Sequence, residues 1–134
     1  MDASEGISDM KIDHSGTRLF ALCTDNSVHI RYILDLTATA RRYTDPGFNA
    51  SSFTFKISIS YDDQFLLTGS NDNHVYAWDI DGDTTNAHIF QGHPNTVTSV
   101  SWHKSRNDQF ASRKMMISIL GYGKLDKINT DYLY

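Results

Sequence analysis

The stretch Leu66–Ile80, LLTGSNDNHVYAWDI, decides how the chain is read. Leu66, Leu67 and Thr68 form a short apolar run suited to a strand. Gly69 to Asn73 is dense in turn formers, because Asn and Asp tolerate left-handed backbone and bond their own main chain. Val75, Ala77 and Asp79 then alternate with Tyr76, Trp78 and Ile80, the period of two that marks a second strand. The stretch is therefore strand, turn and strand, ending in Trp78-Asp79.

The same plan occurs earlier. Leu19 to Cys23 is a continuous apolar run of strand length, fit for a strand buried on both faces. Thr24 to Ser27 turns, and Val28 to Leu34 alternates. Ile12 aligns with Ile59, Leu19 with Leu66, Asp25 with Asp72 and Val28 with Val75, each pair 47 residues apart (72 − 25, for instance). Each unit has an alternating strand before it, Ile7–Asp13 and Phe55–Ser60. Each has a candidate outer strand after it, Thr37–Tyr43 and Ala87–Phe90. A repeat in the forties built from three or four short strands is the sign of a β-propeller.

A third unit opens with Gly92-His93, continues through the alternating Val97–Trp102, and starts its buried run at Phe110-Ala111-Ser112. Arg113 to Met116 then stands where the turn aspartate is expected, and no Trp-Asp follows. The chain is read as an all-β, partial propeller of about two and a half blades of four-stranded antiparallel sheet, with an open ring. The partial propeller spans 1–112, with blades at about 7–43 and 54–90 and an incomplete one at 91–112. Residues 113–134 are read as a divergent tail. The degeneracy of the code permits residues 113–126 to be reread in another frame as the missing turn, strand and Trp, so a frame-altered product is the expectation for this tail.

Composition narrows the classes. The 134 residues are 40% hydrophobic and 21% charged, which suits one ordinary domain or a piece of one. A net charge of -4 with no long basic run gives no pointer to nucleic acid or an anionic membrane. The single cysteine, Cys23, excludes an internal disulfide framework and fits a reducing compartment. Residues 1–10 lack the basic and apolar regions of a signal peptide. No apolar run approaches the roughly 18 residues of a membrane-spanning helix.

The units ISDMKIDHSGTRLFALCTDNSVHI, ISYDDQFLLTGSNDNHVYAWDI and FQGHPNTVTSVSW resemble WD repeats. More narrowly, over residues 7–112 they resemble middle blades of the denticleless family, WD-repeat substrate receptors of a cullin-RING ubiquitin ligase. The resemblance implies protein partners: the ligase adaptor and cullin, and substrates from replication and the cell cycle, in the nucleus, with cytoplasm as the alternative. It also implies a structural relay of histidine, serine or threonine, aspartate and tryptophan within each blade. Thr68 or Ser70, Asp72 and Trp78 match it in the second unit, with Gly47-Phe48 near the place of Gly-His. Asp25 matches in the first unit, and His93 with Ser112 in the third, so no unit carries the whole relay. Receptors of this class often carry Trp-Asp-x-Arg for adaptor contact. Here the text is Trp78-Asp79-Ile80-Asp81, and Asp81 reverses the charge. Asp cannot imitate the multi-donor fork of Arg.

The residues argue against an enzyme. His14, His29, His74, His88, His93 and His103 form no His-x-x-x-His pair and no zinc spacing with cysteine, so no metal or cofactor is expected. No Gly-x-Ser-x-Gly elbow or phosphate loop is present. Loops on one rim, His14–Thr17, Tyr61–Gln64 and Lys104–Asp108, are a candidate binding surface. The expected function is a protein-interaction module from a ligase substrate receptor. The alternatives are a WD scaffold of another pathway or a truncated product without activity. A ring of too few blades exposes edges and apolar faces, so poor solubility, partial unfolding or assembly with copies or partners is expected.

Overall fold

The structure is a computed structural model that describes residues 6–91, 93–106, 109–112 and, in backbone, 115–118. Every described element is a strand. The first sheet is β1 (Ile7–Ile12), β2 (Arg18–Cys23), β3 (Ser27–Tyr32) and β4 (Arg42–Tyr43), hydrogen-bonded in that order. The second is β5 (Ile57–Ile59), β6 (Phe65–Gly69), β7 (Val75–Asp79) and β8 (His88–Phe90), in the same order. The third is β9 (Val100–Trp102), β10 (Gln109–Ser112) and β11 (Met115–Ser118). All pairings are antiparallel, as hairpin connections between consecutive strands require.

The 47-residue repeat extends to the backbone. Among the described non-glycine residues, left-handed φ occurs at Asn26 (64°), Asp63 (58°) and Asn73 (71°), and Gly16 has φ 74°. Asn26 corresponds to Asn73, and Gly16 to Asp63. The hairpins of the two sheets thus turn at the same places with residues that tolerate the left-handed region. The loop before the second strand also repeats, with different chemistry. The Asp13 carboxylate accepts the backbone N–H groups of Thr17 (2.9 Å) and Arg18 (3.1 Å). The Ser60 hydroxyl accepts those of Gln64 (3.1 Å) and Phe65 (2.9 Å).

Alternating strand faces build two cores. Phe20, Leu22, Val28, Ile30 and Tyr43 of the first sheet meet Ile57, Ile59, Leu66, Tyr76, Trp78 and Ile80 of the second, with Phe48 and Phe55 between. The opposite face of the second sheet, Phe65, Leu67, Val75, Ala77 and Phe90, meets Val97, Trp102 and Phe110. Trp102 stacks on Phe65 with ring centroids 5.6 Å apart. The ring is open. Ile59 is 6% exposed under the first sheet, while its equivalent Ile12 is 57% exposed at the uncovered end.

Several strands are shorter than the sequence pattern suggests. Asp35 caps a turn by accepting the N–H groups of Thr37 and Ala38, so the outer strand of the first sheet is only Arg42–Tyr43. In the third unit, Val97 donates to the Ser70 carbonyl and the Thr98 carbonyl accepts from Lys56. That segment is pinned to the second sheet, and β9 begins at Val100. The pattern ends at Ser112 on the page of the sequence, yet β11 pairs with β10 from Ser112↔Met115 to Gln109↔Ser118. An exposed row of β10 main-chain groups accepts any β-compatible partner, with or without a turn aspartate. The rest of the proposed tail, 113–114 and 119–134, lies outside the described residues.

Candidate functional site

In the second sheet Ser70 and Asp72 of the relay meet, but Trp78 stands apart from them. Trp78 lies wholly buried, and its Nε1 donates its one N–H to the Thr44 carbonyl at 2.9 Å and not to Asp72. The reason is Phe48, which stands near the histidine's place and carries no polar ring atom. It packs against Trp78 edge-on at 5.2 Å and against Tyr76 at 5.3 Å. Asp72 instead accepts the Tyr76 hydroxyl and the His74 N–H at 3.2 Å. Burial pushes the Asp72 carboxyl up, but hydrogen bonds from Tyr76, Ser70 and His74 outweigh it and hold the group below its ordinary value. Burial, with the bond to Asp72, pushes the Tyr76 hydroxyl well up. Ser70 Oγ also links to Asn49, accepting its N–H and donating to its carbonyl, both at 3.1 Å. Thr68 Oγ1 bonds only to main chain, the carbonyls of Lys56 (3.3 Å) and Gly69 (3.1 Å).

In the third sheet the histidine and serine do meet, His93 Nε2 and Ser112 Oγ lying 2.7 Å apart. In the first sheet Asp25 bonds to the Ser27 hydroxyl, to His29 Nε2 (3.5 Å) and to Arg42 (2.9 Å). Cys23 joins this group: its sulfur, an Asp25 oxygen and a His29 nitrogen all lie within 4.8 Å of one another. Sequence spacing missed the set because Cys23 and His29 sit on opposite arms of one hairpin. The signal was present in the repeat, which aligns Cys23 with Ser70 and His29 with Tyr76.

The adaptor-contact residues separate. Trp78 is inaccessible, so its assignment as a contact residue is corrected: a full aromatic shell and a satisfied Nε1 account for it without a partner. Asp79 is exposed, and the Asp81 side chain is 83% exposed, 3.6 Å from Arg18.

The rim loops form a connected surface. Asp63 accepts the backbone N–H groups of His14 (2.7 Å) and Ser15 (2.9 Å) and lies 3.1 Å from His14 Nδ1. The Arg18 guanidinium donates to the Asp63 carbonyl at 3.3 Å and to the Asp13 carboxylate at 2.7 Å. Burial pushes the Asp13 carboxyl up, but Arg18 and the loop N–H groups bring it down to about 2. Beside these loops a cleft of about 210 Å³ crosses β1, β5 and β9, with Lys11, His14, His103 and Lys104 on its walls. Its lining mixes Lys11, Lys104, Ser58 and Ser101 with Ile12, Ile59 and Trp102, which suits contact with a protein segment. Residues 107 and 108 of the third loop lie outside the described residues. No described helix is long and apolar enough to cross a membrane.

Stacked antiparallel sheets with a shared period and an open ring define part of a β-propeller, and the repeats that build it are of the WD type. The WD domain, G-beta repeat family matches residues 48–79 and 84–112. The solved structure of U3-55K superimposes with a TM-score of 0.73, covering all of this chain and 40% of that one at 14% identity, a likeness of fold alone. The chain resembles the denticleless proteins. It is 40% identical over 97 residues to the denticleless protein homolog of Danio rerio, covering 72% of this chain and 15% of that protein. It is 39% identical over 105 residues to denticleless protein homolog A of Xenopus laevis, covering 75% and 14%. The chain thus spans about one seventh of the length of these curated relatives. A WD-repeat module of this kind serves protein–protein interaction.

Proposed function

We infer that this chain is part of a substrate receptor that directs proteins to ubiquitylation by a cullin-RING ligase. It acts by binding and without catalysis, in the nucleus, on proteins of replication and the cell cycle. The observation that carries the reading is the 40% identity to a denticleless homolog across 72% of the chain. The rim loops joined through Asp63, with the cleft beside them, offer a built surface for such binding.

Affinity purification of the tagged chain from nuclear extract tests this. Recovery of the ligase adaptor and cullin supports the reading, and their absence beside other protein partners overturns it. One feature favours a scaffold role in another pathway: exposed Asp81 occupies the place where the resemblance calls for an adaptor-binding arginine. On the receptor reading Asp81→Arg strengthens adaptor recovery, whereas on the scaffold reading it leaves recovery unchanged.

A further inference from the structure

The 47-residue repeat superimposes Cys23 on Ser70, Asp25 on Asp72 and His29 on Tyr76. In the second sheet those positions hold a hydrogen-bonded network of hydroxyls around a carboxylate. In the first sheet the same backbone positions hold a thiol, a carboxylate and an imidazole, with one ligand atom of each within 4.8 Å of the others. We propose that Cys23, Asp25 and His29 form a binding site for a zinc-class divalent metal ion, which braces the first hairpin where the second uses hydrogen bonds.

The donor chemistry fits. Thiolate sulfur, imidazole nitrogen and carboxylate oxygen are the three ligand types zinc takes, at about 2.0–2.3 Å from the ion. Ligand atoms on such a tetrahedron stand roughly 3–4 Å apart, so the observed cluster closes by small side-chain rotations. The hairpin that carries the three is rigidly turned: Asn26 is left-handed, and its side-chain oxygen accepts the Ala50 N–H at 2.8 Å. The site is withdrawn from water but reachable. Cys23 is 2% exposed, and the Asp25 and His29 side chains are 10% and 17% exposed.

The bonds of Asp25 to Ser27 and Arg42 are compatible with a ligand role, and its bond to His29 at 3.5 Å already draws two of the ligands together. The Ser27 hydroxyl donates to one carboxylate oxygen and orients the group, as outer-shell donors do at metal sites. Arg42 donates to the other oxygen at 2.9 Å from a side chain that is half exposed, so it can swing into solvent. Three protein ligands leave the fourth tetrahedral position to water.

The test is a titration of the full chain with Co(II), then Zn(II). The expected result is one Co(II) per chain with a thiolate-to-metal charge-transfer absorption that Zn(II) displaces. Cys23→Ser and His29→Tyr install the residues of the second sheet, so both retain the far-UV circular dichroism of the parent. Cys23→Ser loses the thiolate band, and His29→Tyr loses stoichiometric binding. An independent readout is alkylation of Cys23, the chain's one thiol. Zn(II) slows it in the parent and leaves it unchanged in His29→Tyr. A parent with no thiolate band at stoichiometric Co(II), or equal zinc protection in the parent and in His29→Tyr, overturns the proposal.

Discussion

The Trp78 indole nitrogen donates to the Thr44 carbonyl at 2.9 Å, which fastens the second sheet to the chain leaving the outer strand of the first. Arg41 and Tyr43 add bonds across the same seam, the guanidinium to the carbonyls of Ile80 (2.6 Å) and Gly82 (2.7 Å), the phenol to that of Ile80 (2.6 Å). Trp78→Phe keeps an aromatic ring but strands the Thr44 carbonyl in a buried place. It is expected to cost about 2–3 kcal/mol, from the unsatisfied acceptor and the lost ring volume. Urea unfolding followed by circular dichroism reads the shift, and a change under about 0.5 kcal/mol contradicts the account.

Acid sensitivity is expected to centre on Asp13. Its side chain is fully buried and its carboxyl sits at about 2 against an ordinary 3.8. A folded-state value below the unfolded one stabilises the fold at pH above 3.8, and the benefit fades as pH falls towards 2. The amount is about 2 kcal/mol. Asp13→Ser installs the residue of the second sheet, keeps the loop N–H groups bonded and removes this acid dependence. Stability measured from pH 5 down to pH 2 is therefore steeper in the parent, by about that amount.

Two glycine substitutions are expected to differ for steric reasons. A Cβ on Gly69 would lie 1.9 Å from the Val97 carbonyl oxygen, where the third unit crosses β6. Gly69→Ala forces the third sheet off the second and costs about 3 kcal/mol or more. Gly16 has open space around it but φ 74°, so Gly16→Ala costs only about 1 kcal/mol of backbone strain. Thermal midpoints of the two variants, taken together, check the order.

Tyr76→Phe removes the hydroxyl that holds Asp72. The Asp72 carboxyl is expected to move back towards its ordinary value, because burial raises it and a main opposing bond is gone. The loss of stability is about 1–2 kcal/mol. Titration of the Asp72 side chain by NMR in parent and variant reads the direction, and an unchanged or lower value sinks the assignment.

The strands and their order were legible because their signals are local: alternation, apolar runs, and Asn or Asp at turns. Pairing at 47 residues supplied the repeat without any homologue. Strand ends were less legible, since Asp35 and the Val97–Ser70 bond shorten strands through contacts that no local pattern carries. The relay was legible as incomplete, but the partners that replace it were not. Thr68 or Ser70, Asp72 and Trp78 match in sequence with Phe48 near the histidine's place, and in the fold Trp78 bonds to Thr44 while Asp72 bonds to Tyr76, Ser70 and His74. The Cys23–Asp25–His29 cluster depends on β2–β3 register, which ordinary zinc spacings do not describe.

The bonds between sheets join neighbouring repeats, and several reach across about one repeat. Ile57 N–H to Asp9, Trp102 N–H to Ser58 and His14 N–H to Asp63 join residues 48, 44 and 49 apart. Cooperativity therefore passes only from neighbour to neighbour, as along a one-dimensional lattice. The second sheet is the sole conduit among the described residues. Loosening it at Trp78 or Gly69 divides one unfolding transition into two, with the first and third sheets melting on separate schedules.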